Sequence, residues 1–257
     1  MRLHRALAAA LLAASTSPAL AAEGLTTFST GADYTTGKYG ATQSTDILYI
    51  PFTGKYETGP WTYKLVVPYI RITGPGNVVG APGDTVVLSG GESARRTESG
   101  LGDIVASAFY NVLSERTAPF GLDLGGKIKF GTADENRGLG TGKNDVSVQA
   151  DAFKPMGALT PFFTIGYRWY GDPAGVNFKN VVYWSAGASY KLSQPTTVGV
   201  AYDSRPRIVD NGSHVSEMTA YVSHKLSPDW KVQAYYVHGF STGSPDWGLG
   251  AVLARSF

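Results

Sequence analysis

The feature that most constrains this chain is a two-residue alternation of apolar and polar side chains, renewed in segments of roughly ten residues. Successive side chains of an extended strand point to opposite faces, so each segment has one apolar and one polar face. Between positions 120 and 130, Phe120, Leu122, Leu124, Ile128 and Phe130 share a face with Gly126, while Asp123, Lys127 and Lys129 share the other with Gly121 and Gly125. Val146, Val148, Ala150 and Ala152 oppose Asp145, Ser147, Gln149 and Asp151 in the same way. The spacing predicts twelve strands, at 25–36, 45–55, 61–73, 101–113, 119–131, 144–155, 159–170, 179–192, 195–205, 216–227, 229–240 and 246–257. Short connections (56–60, 114–118, 156–158, 193–194, Pro228) alternate with longer ones (37–44, 74–100, 132–143, 171–178, 206–215, 241–245). That asymmetry belongs to antiparallel β-barrels that cross an outer membrane, with tight periplasmic turns and longer extracellular loops. An even number of strands places both chain ends on the periplasmic side. A soluble β-sandwich also alternates, but it turns its apolar faces inward and has no need of the asymmetry.

Composition agrees with an all-β transmembrane barrel. Charged residues are only 16% of the 257, against roughly 25% in a typical soluble domain, while 32 residues are Gly and 12% are aromatic. No segment approaches the ~18 to 20 apolar residues of a membrane-spanning helix. Cys is absent, which excludes disulfides, thiolate metal sites and a lipid anchor on an N-terminal Cys. Arg2 and Arg5, the apolar run from Ala6 to Ala14, and Ala19-Leu20-Ala21 make residues 1–21 a secretory signal peptide, cleaved after Ala21. The mature barrel is then 22–257. Losing two Arg reduces the 22 basic residues to 20, equal to the 20 acidic ones, so the mature chain is neutral and gives no reason to expect nucleic acid.

The end of the chain carries a separate signal. Trp247, Leu249, Ala251, Leu253, Arg255 and Phe257 lie on one face of the last strand. An alternating strand ending in Phe resembles the signal by which the barrel assembly machinery recognises its clients, although Arg255 stands where an aromatic is usual. Trp61, Tyr63, Tyr69, Trp169, Trp230 and Trp247 sit near strand ends, as girdles at the two lipid interfaces do. The expected surroundings are outer-membrane lipid and lipopolysaccharide.

The polar faces then line a lumen. They carry Lys64, Asp103, Asp123, Lys127, Lys129, Asp145, Asp151, Arg168, Lys191, Asp203, Arg205, Glu217, Lys225 and Lys231, eight basic and six acidic positions. If strands 101–113 and 119–131 pair through a turn near 116, Asp103 lands opposite Lys129. Two readings stay open: a mixed-charge ladder that stiffens the wall, or a polar constriction that selects solutes. The balance of signs argues against strong ion selectivity. Phe109, Phe162, Tyr183, Tyr221 and Tyr235 also face inward, either to meet ligands with apolar parts or simply to fill a small barrel. Loop 74–100, with Val86-Val87-Leu88 ahead of Glu92-Ser93-Ala94-Arg95-Arg96, is the natural plug or lid.

Catalytic signals are sparse. His214, His224 and His238 are the only histidines after the leader, and no Gly-x-Ser-x-Gly elbow is present. A lipid-facing hydrolase would need His224 or His238. The oxygen-rich stretch Asp134-Glu135-Asn136-Arg137-Gly138 lacks the spacing of a calcium loop and reads as a turn. No cofactor or metal is implied.

Glu98-Ser99-Gly100-Leu101-Gly102-Asp103 at the head of a strand resembles the Ser-Gly-Leu-Gly-Asp element of the outer-membrane channel family named for the meta pathway of phenol degradation. Lys129-Phe130-Gly131-Thr132, followed by Gly138-Leu139-Gly140-Thr141-Gly142 and Asn144-Asp145, is similar to that family's next hairpin, with Phe130-Gly131-Thr132 in place of the usual Pro-Thr-Gly. The resemblance implies a barrel through which small hydrophobic or aromatic compounds cross the outer membrane passively. It carries over no binding residues. The alternatives are a closed structural or surface-interaction barrel acting through its external loops, and the lipid-facing hydrolase.

Overall fold

The computed structural model describes residues 24–82, 85–87, 94–115 and 118–257. The leader expected at 1–21 lies outside them, as do Leu88, Glu92 and Ser93 of the expected lid. The strands are β1 (Leu25–Gly37), β2 (Thr45–Thr58), β3 (Trp61–Gly74), β4 (Val78–Val79), β5 (Val86–Val87), β6 (Arg96–Leu101), β7 (Ile104–Leu113), β8 (Gly121–Phe130), β9 (Asp145–Phe153), β10 (Leu159–Trp169), β11 (Val181–Lys191), β12 (Thr196–Arg205), β13 (Val215–Lys225), β14 (Trp230–Gly239) and β15 (Trp247–Ser256). A 3₁₀ turn, Glu135–Arg137, is the only helical element among the described residues.

Each strand of the barrel pairs antiparallel with its neighbours around the ring, and β1 closes the ring on β15, from Thr27 opposite Ser256 to Thr36 opposite Trp247. Thirteen strands share the sheet, but β6 and β7 both pair with β3, so the ring has twelve positions. Closure leaves no unpaired edge, which is the condition for a sheet surrounded by hydrocarbon. The outward face is predominantly apolar: Leu249 is 53% exposed and Val148 is 49% exposed. An exposed apolar belt of this extent is a surface made for lipid.

The fourth position differs from the predicted single strand 101–113. It begins at Arg96 and is broken at Gly102-Asp103. Leu101 stands opposite Tyr69 and Val105 opposite Val66, so four steps on this side match three on β3, which defines a bulge. The break falls where β3 carries Pro68, itself opposite Pro51 of β2. Proline supplies no N–H to a ladder; the Pro68 carbonyl instead accepts from Gly102 N at 2.9 Å. The register between β7 and β8 also differs from the one expected through a turn near 116: Val105, not Asp103, is opposite Lys129, and the pairing shifts between Asn111 and Leu113.

The two classes of connection fall at opposite ends of the barrel, but length alone does not separate them. The connections 114–120 and 240–246 are equally long and lie at opposite ends. At the short-turn end Trp61 stacks on Tyr63 with centroids 5.8 Å apart and meets Tyr110 at 5.0 Å. Arg255 there lies over the rings of Trp230 (5.4 Å) and Phe257 (4.6 Å). The guanidinium is thus held between two rim aromatics, which accounts for a cation on the lipid face.

Inside, the abundance of Gly and of large aromatics has one cause. Gly121 is the cross-strand partner of Phe153, Gly125 of Phe109, Gly166 of Tyr183, Gly187 of Phe162, Gly199 of Tyr221 and Gly250 of Tyr235. Each ring lies over its partner; a Cβ on Gly199 would stand 2.4 Å from the Tyr221 ring and one on Gly250 2.2 Å from the Tyr235 ring. The glycines are recesses in the wall, and the rings cover the backbone that glycine bares. The inward aromatics are therefore buried parts of the wall rather than groups projecting across the lumen.

Candidate functional site in the barrel lumen

Of the expected loop 74–100, residues from Arg96 onward belong to barrel strand β6, and the part that packs in the barrel mouth is β4–β5. β4 and β5 form a small hairpin, with Val78 opposite Val87 and Val79 opposite Val86. Val78 packs with Ile47, Tyr49, Ile70, Ile72 and Leu139; Val79 and Val86 pack with Phe178, Val181 and Ile208. These partners come from opposite sides of the ring and from three external loops or strand ends, so the hairpin bridges the mouth. Just before β6, Arg95 donates to the Ser44 carbonyl at 2.5 Å and pairs with Asp46. On an adjoining loop Asp134 caps the 3₁₀ turn, accepting from the backbone N–H groups of Asn136 (3.0 Å) and Arg137 (3.3 Å). Its carboxylate closes a turn.

Beneath the hairpin lies a cavity of about 70 Å³. Val66, Ile70, Val86, Phe109, Leu139 and Phe178 give it apolar lining; Lys64, Asp103, Lys127, Lys129, Asp145 and Arg168 give it charged lining. It has room for several waters at roughly 10–15 Å³ each, and it is far smaller than the ~300–1,000 Å³ of pockets that hold drug-sized ligands. Asp103, placed inward by the bulge, receives Lys129 Nζ at 2.7 Å and the backbone N–H of Ala133 at 3.0 Å. Lys129 also meets Asp145 at 3.4 Å and the Lys143 carbonyl at 3.0 Å.

Below this cluster the wall is a hydrogen-bonded lattice. Tyr183 donates to Gln149 Oε1 at 2.9 Å, Gln149 donates to both oxygens of Asp151 at 2.7 and 2.8 Å, and Thr164 donates to Asp151 at 2.5 Å. Asn111 donates to Asp123 at 2.6 Å, and Lys127 stands 5.3 Å from the Tyr183 ring centroid. On the far side Tyr235 donates to buried Asp33. Asp203, Arg205 and Glu217 are buried near the mouth on β12 and β13.

The register gathers many of these charges into rungs of one sign. One continuous cross-strand rung runs Thr27, Lys55, Lys64, Ser107, Lys127, Ser147, Arg168. A second runs Asn111, Asp123, Asp151, Thr164, Ser185, Asp203, Glu217. The first holds four cations and no acid; the second holds four carboxylates and no cation. These two rungs are each of one sign, whereas two residues further along β8 Lys129 faces Asp145 as a mixed pair. Lys225 faces Lys231 on another rung, again like to like. Asp33, Lys55 and Glu57 also belong to the inner wall and were not among the sequence candidates; Lys55 and Glu57 form an ion pair at 2.7 Å. Their parity in β1 and β2 is the signal that points inward.

The histidines are not brought together. His224 shares a hydrogen bond through Nδ1 with Thr196 Oγ1 at 2.8 Å, whereas His238 packs edge-on against Phe240 at 5.0 Å. Their cross-strand partners, Val232 and Met218, lie six residues away along each strand.

Residues 26–257 match the profile of a family described as "Putative MetA-pathway of phenol degradation". Among solved structures, the fold is similar to an outer-membrane channel from Pseudomonas putida F1, at 15% identity, with 95% of this chain and 100% of that chain covered and a TM-score of 0.71. Weaker likenesses are the KdgM porin (11% identity, 90% and 99% covered, TM-score 0.48) and the CymD monoaromatic hydrocarbon channel (10% identity, 90% and 87% covered, TM-score 0.45). No curated protein matches the sequence significantly.

Proposed function

Because the chain belongs to the family of the MetA-pathway of phenol degradation, we propose that it is a passive outer-membrane channel for small solutes with apolar or aromatic parts, closed at rest by the β4–β5 hairpin. The observation that carries this reading is the seat of the hairpin. Val78, Val79 and Val86 occupy the mouth above a cavity that continues into a polar wall. A structural barrel has no need of a removable plug over a lined cavity. The hairpin pairs only within itself, as a sheet separate from the barrel, so it can leave without unpairing a barrel strand. The likeness to the Pseudomonas outer-membrane channel and the family's phenol pathway support the same reading. Passage needs no cofactor: the solute enters from the external loops, displaces the hairpin and moves along the charged rungs to the short-turn, periplasmic end.

The same reading assigns Phe257 and the outward face of β15 to recognition by the assembly machinery, and cleavage after Ala21 to export. Liposomes holding the full chain should swell in small neutral solutes such as benzyl alcohol and more slowly in larger sugars. No swelling in any solute, with the barrel shown folded by its heat-sensitive migration in detergent gels, would contradict the channel reading.

A further inference from the structure

The segregation of charge by rung points to a substrate class. Neighbouring strands tilt by roughly 35–45° in such barrels, so a rung perpendicular to them climbs obliquely through the wall. Thr27 lies near the start of β1, at the short-turn end, and Arg168 near the finish of β10, at the long-loop end. The basic rung therefore connects the two ends of the lumen. Lys55 stands directly opposite Lys64, an arrangement that costs stability unless something answers it. Glu57 answers Lys55; among the described residues Lys64 has no ion pair and feels the charge of Lys55. Lys231, reached electrostatically by both Lys55 and Lys225, adds to the positive field at the short-turn end. Hydroxyls of Ser107 and Ser147 sit between the cations and offer further donors. The acidic rung is set back by four residues on β8, from Lys127 to Asp123, which is roughly 14 Å along the strand.

We propose, building on the channel reading above, that Lys55, Lys64, Lys127 and Arg168 form a carboxylate track, and that the preferred solute is a small organic anion with an apolar body. The cavity beneath the hairpin has both halves of that specificity. Lys64, Lys127 and Arg168 line it together with Val66, Phe109 and Phe178, and the two carboxylates in the lining, Asp103 and Asp145, are both paired with Lys129. A carboxylate is matched by lysine and guanidinium donors in a narrow, low-dielectric lumen where the field of the wall is concentrated. Spacing the cations along one rung lets each release the anion to the next. The acidic rung repels the carboxylate and keeps it on the basic side.

The test compares benzoate, benzyl alcohol and benzylammonium, which share a ring and differ in charge, for entry into liposomes carrying the full chain. Benzoate should enter fastest, and a salt gradient across a planar bilayer should give an anion-selective reversal potential. Lys64→Gln with Lys127→Gln should lower the benzoate to benzyl alcohol ratio by about tenfold, the scale of losing a charge-assisted hydrogen bond. Lys55→Gln alone, at the other end of the rung, should lower it less and serves if the double variant fails to fold. Lys179→Gln, on an external loop, should leave the ratio unchanged. Equal entry of the three probes, or a ratio unmoved by folded rung variants, would overturn the track alone. Entry of none would overturn the channel reading and the track with it.

Discussion

Tyr221 over Gly199 shows how single residues hold this wall together. The ring occupies the space where a side chain on Gly199 would begin, so the two positions form one unit. Gly199→Val should destabilise the barrel by about 1–3 kcal/mol, the usual cost of overpacking, read as a lower urea midpoint for loss of the heat-sensitive gel form. Adding Tyr221→Ala should recover part of that loss, and strictly additive losses would show that the pair is not coupled. Tyr235 carries a second duty, because its hydroxyl is a donor to buried Asp33. Tyr235→Phe keeps the ring over Gly250 but strands a carboxylate, and should cost about 1–3 kcal/mol by the same assay. An unchanged midpoint would mean that water replaces the hydroxyl. Strand parity made these inward aromatics legible in the sequence. Their glycine partners were not, because a cross-strand pair depends on register, and register depends on turns and bulges that local alternation does not record.

Among the elements, β4–β5 and the broken strand β6–β7 matter most. Alternation located the strand but not its start at Arg96 or its break. The Pro51–Pro68 pair lies on neighbouring strands far from Gly102 in sequence, and only the closed sheet brings the three together. The hairpin was legible only as an apolar patch, Val86-Val87-Leu88, in a loop otherwise suited to solvent; two residues per arm are too few for a period to emerge. Val79→Asp puts a charge among Phe178, Val181 and Ile208 and should unseat the hairpin. Arg95 and Arg96 already have exposed side chains, and loss of the hairpin's seat should give the backbone there the freedom that trypsin needs, so cleavage should rise while the barrel stays intact. Resistance equal to the wild type would mean that the hairpin is held by other contacts. At the other end of the chain, Phe257 touches Phe28 edge-on, with centroids 6.1 Å apart, and its N–H donates to Thr26 O. Removing Phe257 should leave the ladder of β15 largely intact yet lower the amount of folded barrel in outer-membrane fractions. Undiminished yield would take recognition away from that residue.

At the scale of the whole molecule, the neutral total charge conceals two stripes of opposite sign. The sequence shows eight bases and six acids on inward positions, and that near balance argues against strong selectivity. Lys127 and Asp123 share a face of one strand and look like a mixed pair until the register sends one to each rung. The closed, twelve-position ring, the lipid-facing apolar belt and the rim aromatics were all readable from period two and loop asymmetry, since each follows from local pattern and lipid's lack of hydrogen bonds. What remained hidden was the arrangement of charges around the ring and the seating of the plug, both of which exist only after closure. The central claim is that this lumen is a path shut by its own hairpin. Single-channel recording in planar bilayers tests it most directly, comparing the wild type with a chain in which residues 77–92 are replaced by a short Gly-Ser linker that spares β3 and β6. A lumen shut in this way gives brief, rare openings in the wild type and a steadily open channel of larger conductance without the hairpin. Equal silence from both chains, each shown to be folded, would contradict it.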